Sequence, residues 1–511
     1  MIPKIRFARR GAYVRRAAAV LLACAALGGL CSCARAGESY SSGVQAAGSS
    51  KSPQASSAVQ TTGGFSLPYT NVPAFNPLLP ASSFNEVVWP LVYDCVSEPG
   101  TDFKPVMRLA SSVVSSGNSA VITLKSGLVF SDGSALTGSD VAYTYNYVKQ
   151  HPASPYSGRL ANVQAVKADG LTVTLALVSP DPLIANLLDI PVIEQGSETG
   201  NAVGSGRYTY AKNGVDAVLS QNPKWYGGAK RPFASIPLVN IPDPATMMSS
   251  LSIGLVNYVY SDSGGGAAST PVSATTADVN LNQLVFLGVN TRKAPLSNAH
   301  FRRALSLALD RSGLVSQTYS GRARASCLPF SPVFSLLPAP SAQSLGSDYA
   351  ASAAELSKAG GAGSMALTLL VNQENTVRTA AAKYAAGCFQ KAGVNVTVKA
   401  VPLAEYQADV ASDSYDLFIG ETVLDADMDV TPLLGGALSP GAPANGAALA
   451  AFKQYRAGNG TLTAAAAAFS DEMPILPLCY RMGTTSYTRG LSGVEATSGD
   501  IFFQFETWSR S

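Results

Sequence analysis

The stretch Ala120–Val148, AVITLKSGLVFSDGSALTGSDVAYTYNYV, constrains the fold more than any other part of the chain. Val121–Leu124 and Leu128–Phe130 read as short strands. Asp132-Gly133 predicts a turn, with Gly133 supplying a positive φ or a tight approach. Thr137 then sits where an N-cap is wanted, and Asp140 falls in the first turn of a helix running through Val148. A chain that must hold strand, turn and capped helix in such close succession is mixed α/β.

The rest of the body continues in that manner. Phe84–Val96 (FNEVVWPLVYDCV) has helical spacing with a kink at Pro90. Leu171–Leu177 alternates as a strand, and Phe301–Val315 is an amphipathic helix. Met365–Val371 predicts a strand, Thr376–Ala392 a helix ended by Gly393, Val394–Val398 the next strand, and Tyr415–Gly420 a short buried one. No internal repeat of fixed period occurs. Trp225 is expected to pack a small subdomain, and Trp89 and Tyr93 to be core.

Composition narrows the functions. A length of 511 residues suggests two or three domains. The 46 glycines and 31 prolines are near average usage, which excludes collagen-like and wholly disordered classes. Only two histidines exist, His151 and His300, and both read as surface or helix-capping residues. That leaves little room for a histidine-built metal centre. With no G-x-S-x-G segment either, a secreted serine hydrolase is excluded. A formal charge of +3 gives no support for nucleic-acid binding.

That charge is unevenly spread. Lys4, Arg6, Arg9, Arg10, Arg15 and Arg16 precede an apolar run from Ala17 to Leu30, and no acid occurs before Glu38. This is the signal-peptide pattern, and the run is shorter than the roughly 20 apolar residues of a membrane span. It ends in Leu30-Cys31-Ser32-Cys33, which resembles a bacterial lipobox with Cys33 as the lipidated residue, because Ser32 before it is small. Arg15-Arg16 lacks the rest of a twin-arginine motif. Cleavage before Cys33 removes six of the 36 bases and leaves 30 against 33 acids, a charge of −3. The expected product is extracytoplasmic and lipid-anchored to the cell membrane, at the cell surface or in the periplasm. Residues 34–64 are rich in Ser, Gly, Ala, Gln and Thr and read as a flexible tether.

The order of the remaining motifs resembles a family. FKPVMRLASSVV followed by Ala120–Val148 is similar to the signature of the extracellular solute-binding proteins of ABC transporters, in the oligopeptide, dipeptide and nickel branch called family 5. Val203-Gly204-Ser205-Gly206-Arg207-Tyr208, Gln221–Gly228, Ile241–Val259, Leu287–Pro295, Phe301–Asp310, Tyr415-Asp416-Leu417 and Pro474–Leu478 resemble further family motifs in the right order. The resemblance covers nearly all of 65–511. Departures are Ser131 where a histidine usually precedes the Asp132 turn, Asn257 in place of an aspartate, and a short Ala-rich 430–470 region.

The resemblance implies an α/β, two-lobed periplasmic-binding-protein-like fold with an extra subdomain in lobe one and a hinged cleft. Lobe one is expected at 65–287 and 473–511, lobe two at 288–472. Cys95, Cys327, Cys388 and Cys479 permit two disulfides. Cys327–Cys388 is the first choice, since both fall in one lobe, and free buried cysteines are the equal alternative.

A peptide in such a cleft is held as an added strand through main-chain hydrogen bonds. Its ammonium end needs a carboxylate, since an unpaired buried charge is costly. Counting from Tyr415-Asp416 as in peptide-binding relatives gives Asp425, with Asp427 and Asp429 as rivals. Gly420-Glu421-Thr422-Val423 would be the hydrogen-bonding edge. The alternative is that Asp425–Asp429 is a solvated acidic loop or helix cap. A calcium loop is excluded, because Val430 and Gly436 stand where it needs Gly and Glu. Across the cleft, Tyr69 and Asn71 are candidates on the first strand. For a ligand carboxylate, Arg207, Arg324 and Arg378 remain open, each more often a surface residue; Arg302 and Arg303 are expected to pair with backbone or acids.

The resemblance thus implies a non-enzymatic receptor that takes a short peptide and delivers it to an ABC permease and ATPase complex. It would be a monomer without cofactor or nucleic-acid partner, held to the membrane by its lipid. A nickel or metallophore receptor and a peptide-sensing signalling lipoprotein share the same fold.

Overall fold

In the computed structural model, the described residues are 64–81, 83–228, 231–262, 274–337, 345–361 and 366–510. The signal segment, Cys33 and the tether up to residue 63 lie outside them.

The fold is α/β and is organised around two hydrophobic cores. One gathers residues from Phe65 to Tyr258 and again from Tyr487 to Trp508. The other gathers Leu284 to Tyr480, joined by Phe103 from the first part of the chain. Two long strands, Ala274–Val289 and Ile475–Thr488, run antiparallel and contribute to both regions. Their pairing slips between Asn280 and Leu284, opposite Met482 and Tyr480. A bulge bends and twists a strand, and this one falls where the chain passes from one core to the other.

The same two strands anchor a seven-stranded sheet. Tyr258–Ser261 lies outside Ile475–Thr488, and Leu417–Val423 pairs with Ala274–Val289. Then come Leu367–Asn372 and Val396–Val401, while Ala323–Ala325 pairs with Ile475–Thr488 off this path. A four-stranded sheet on the first core has Leu67–Tyr69 parallel to Ser235–Asn240. Residues 110–177 form a separate antiparallel sheet of four strands, covered by the helix Gly138–Gln150.

Local rules account for most elements. Thr137 caps Gly138–Gln150, and Asp140 Oδ2 accepts a hydrogen bond from the Thr137 amide at 2.9 Å, closing a capping box. Gly133 takes φ +106° in the predicted turn. Leu128–Phe130 forms only an isolated bridge between Val129 and Ala135. Phe84–Val96 is not one helix. It divides into Ser83–Glu86 and a 3₁₀ turn at Trp89–Leu91, with Pro90 at the break. Phe301–Val315 also divides, into Ala299–Ala308 and Arg311–Thr318. Asp310 accepts from the Gly313 amide at 2.9 Å and starts the second helix instead of continuing the first. Arg302 donates to the carbonyls of Leu296, Ser297, Glu472 and Met473, and Arg303 to Glu355 and the Asp471 carbonyl. Cys95, Cys327, Cys388 and Cys479 are buried free thiols, so the Cys327–Cys388 disulfide does not form.

The Val203–Tyr208 motif owes its glycines to close packing. The Gly206 amide donates to the Val92 carbonyl at 2.9 Å. A Cβ on Gly206 would lie 2.5 Å from the Val92 carbonyl carbon and 2.8 Å from the Tyr93 nitrogen. Backbone cannot swing aside as a side-chain tip can. Gly206→Ala is therefore expected to cost toward the upper end of the about 1–3 kcal/mol typical of overpacking. A denaturant midpoint unchanged from the parent protein would refute this.

Candidate ligand-binding cleft

The strand Leu417–Val423 runs along Ala274–Val289 over its whole length, from Val289↔Leu417 to Gln283↔Val423. On its other side, Leu367–Asn372 meets it only at Leu417 and Phe418. Among the described residues, the edge from Gly420 to Val423 has no strand partner there. The Tyr406 hydroxyl reaches the carbonyl of Ile419 just before that edge at 2.8 Å. An open strand edge is a template for another extended chain.

The candidate side chains on this edge behave differently from one another. Val423 is exposed and Thr422 half-buried. Glu421 is committed elsewhere: its carboxylate meets Arg378 at 2.6 Å and Arg481 at 2.5 Å, and Arg481 also pairs with Asp262. Burial pushes the Glu421 carboxyl up, but the two guanidinium groups more than offset this and hold it below its ordinary value. Arg378 and Glu421 thus satisfy each other and do not present free charges.

Beyond Val423 the chain turns, with the Met428 amide on the Asp425 carbonyl at 2.9 Å. The three aspartates then part ways. Asp429 accepts from the Thr431 amide at 2.8 Å, a local turn contact just before Thr431–Leu434. Asp427 is buried and paired with Arg456 at 2.7 Å; burial pushes its carboxyl up to about 6 against the pull of that arginine. Arg456 also holds Asp181, from the first part of the chain, at 3.1 Å. Asp425 alone keeps a half-exposed side chain, 50% accessible, with the Arg159 guanidinium 3.9 Å away. Partial burial raises its carboxyl, and Arg159 opposes that.

Arg159 brings a second feature to the site. It lies in the 3₁₀ turn Ser157–Leu160, where it grips Asp189 through two hydrogen bonds of 2.5 and 2.9 Å. It also lines a cavity of about 270 Å³ whose walls include Glu86, Trp89, Tyr93, Asp94, Glu98, Arg108, Tyr156 and Asp189. Arg108 lies 3.5 Å from both Asp94 and Glu98. Burial drives both carboxyls up, Glu98 to about 7, with Arg108 pulling them back.

The first-strand candidates separate. Tyr69 is fully buried, its hydroxyl 2.8 Å from that of Tyr210, so it packs the core and does not face a solute. Asn71 is exposed, its amide on Asn240 Oδ1 at 2.9 Å. Arg207, expected at the surface, is completely buried against Asp500 and Glu506. Arg324 is exposed and donates to Asn280 at 2.5 Å. Trp225 is buried and donates to Asp94 at 3.2 Å. His151 stacks on Tyr147, and His300 meets Glu355 at 2.8 Å. The cavity was missed from sequence because Trp89, Tyr93 and Asp94 fall in Phe84–Val96, which reads as one apolar helix, and Glu98 lies just beyond its end. The signal present was two acids, Asp94 within that apolar pattern and Glu98 just after it.

Comparison with known proteins places this geometry in context. The family described as bacterial extracellular solute-binding proteins, family 5 Middle, matches residues 104–443. The oligopeptide-binding protein AppA of Bacillus subtilis (strain 168) is 25% identical over 288 residues, 51% of this chain and 52% of that one. The periplasmic oligopeptide-binding protein OppA of Salmonella typhimurium is 24% identical over 231 residues, 38% of this chain and 42% of that one. The chain thus spans about half the length of the curated relatives it matches. Among solved structures, the periplasmic murein tripeptide binding protein MppA in its unliganded open form gives a TM-score of 0.74 at 19% identity. It covers 88% of this chain and 98% of that one. These solved folds are two-lobed.

Proposed function

This chain belongs to the bacterial extracellular solute-binding proteins of family 5, and on that premise we propose that it is the receptor of an ABC importer for short peptides. It binds and releases its solute and catalyses no reaction. The observation that carries the peptide reading is the open edge at Gly420–Val423 running directly into Asp425. The edge offers main-chain hydrogen bonds indifferent to side-chain identity, and the half-exposed carboxylate at its end offers a partner for the peptide ammonium.

In this reading Asp425 is the ammonium partner, Gly420–Val423 the peptide-pairing edge, and Asn71 a contact from the facing lobe. Glu421, tied to Arg378 and Arg481, supports the edge from behind. The lobes are proposed at 65–287 with 473–511, and at 288–472. Cys33 is proposed to carry the lipid, so that a monomeric receptor reaches its permease and ATPase complex on the tether.

Calorimetry with di- to pentapeptides and their N-acetylated forms tests this. Removing the ammonium is expected to weaken binding at least tenfold, about 1.4 kcal/mol. Asp425→Asn should weaken the free peptides similarly and erase the difference between free and acetylated forms. Equal affinity for both forms in the parent protein would end the assignment of Asp425.

A further inference from the structure

We propose that the cavity beside Arg159 is a cation pocket, through which this receptor selects peptides carrying a basic side chain. This rests on the peptide reading above and adds to it a substrate class. The cavity wall contains four carboxylates, Glu86, Asp94, Glu98 and Asp189, against two guanidinium groups, Arg108 and Arg159. With every group ionised the lining has an excess of two negative charges, and burial, which drives the Glu86, Asp94 and Glu98 carboxyls up, works against holding that excess without a further cation.

The arginines are already engaged: Arg207, behind the wall, draws on Asp94 and Glu98 but is itself enclosed by Asp500 and Glu506. Arg159 is taken up by its bidentate contact with Asp189. Arg108 is divided between Asp94 and Glu98 at 3.5 Å from each, a distance for ion pairing without a hydrogen bond. Glu98 is 6% exposed; its Oε1 lies 3.5 Å from the Arg108 Nε, too far for a hydrogen bond, and neither atom makes one elsewhere. A buried carboxylate oxygen without a donor is costly to leave so, and the compensation it wants is a positively charged N–H group.

Size and walls agree with that occupant. About 270 Å³ is just below the roughly 300–1,000 Å³ of whole small-molecule pockets, so it suits one side chain and not an entire peptide. Trp89 and Tyr93 supply aromatic surface to an incoming guanidinium or alkylammonium group, while the Tyr156 ring already carries Arg159. The pocket also lies where a bound peptide could reach it. The Arg159 guanidinium that forms part of its wall is 3.9 Å from Asp425, at the end of the open strand edge.

The test uses the folded receptor and tripeptides in which one position, each in turn, is Arg, Lys, norleucine or Glu. At one position, Arg and Lys are expected to bind at least tenfold tighter than norleucine, with Glu weakest. Glu98→Gln should cut that preference below threefold. Should Glu98→Gln fail to fold, Glu86→Gln, at an exposed position, is expected to reduce the preference in the same direction. If all the peptides bind alike, or if the preference survives both substitutions, the cation pocket is wrong while the peptide reading stands. If no peptide binds, the peptide reading falls, and argininamide decides the pocket separately. A rise in melting temperature with argininamide in the parent protein but not in Glu98→Gln supports the pocket; no rise overturns it.

Discussion

Replacing Arg456 by alanine is expected to destabilise the protein by about 3–5 kcal/mol, the cost of stranding buried charges by removing their partner. Arg456 lies 2.7 Å from Asp427 and 3.1 Å from Asp181, and the two carboxylates are 2% and 1% exposed. Their own surroundings do not replace it. Asp427 interacts unfavourably with Asp429, Asp181 and Asp425, and burial already works against its charge. The bridge also joins distant parts of the chain, as does Asn186, whose side-chain amide donates to the carbonyls of Phe103 and Ala426 at 2.7 and 2.9 Å. Chemical denaturation measures the loss. The triple variant Asp181→Asn, Asp427→Asn, Arg456→Met should cost less than Arg456→Ala alone, because it leaves no orphaned charge. A loss under about 1 kcal/mol for Arg456→Ala, or a triple variant at least as damaging, would sink this account.

Glu421→Gln is expected to cost a similar amount at neutral pH, because Glu421 is the anion between two arginines at the strand crossing. Its carboxylate is 6% exposed, and Arg481 beside it 8%. The pH dependence has a definite sign. The folded protein holds this carboxyl below its ordinary 4.5, so its ionised form stabilises the fold. That contribution is fully present above 4.5 and is lost as pH falls through the lower folded value. The stability gap between the parent protein and Glu421→Gln should therefore be constant above about pH 5 and narrow toward zero in stronger acid. A gap that widened on acidification would contradict the assignment. Because Arg481 lies in Ile475–Thr488 next to the bulge at Asn280–Leu284, the same substitution is expected to loosen the crossing between the two cores.

What could be read from the sequence was what depends on near neighbours. Thr137 and Asp140 are three residues apart, and their reciprocal capping needs nothing from elsewhere. Gly133 takes its positive φ for reasons internal to its turn. Motif order, with strands and helices in register, sufficed for the two-lobed α/β class. Where two local signals competed, the reading failed. Pro90 broke a helix that periodicity favoured, and Asp310 started a new helix inside an apolar pattern that ran on.

The site was legible only in part, because its residues are defined by partners far away in the chain. Asp425, Asp427 and Asp429 are indistinguishable as a D-x-D-x-D string. One makes a local turn contact, one is buried under Arg456, and one is left half-exposed beside Arg159. Arg207 is an arginine like any other until Asp500 and Glu506 enclose it. Tyr69 is a candidate by its place on the first strand, yet it is buried with its hydroxyl on that of Tyr210. By itself, the sequence determined the class of fold, the capped and turned segments, and the strand that leads to the aspartates. Which carboxylate faces solvent, which is paired, and that Glu98 lines a cavity were decided by tertiary packing. Burial and charge pairing are properties of what surrounds a side chain, and distant segments supply those surroundings only when the chain folds.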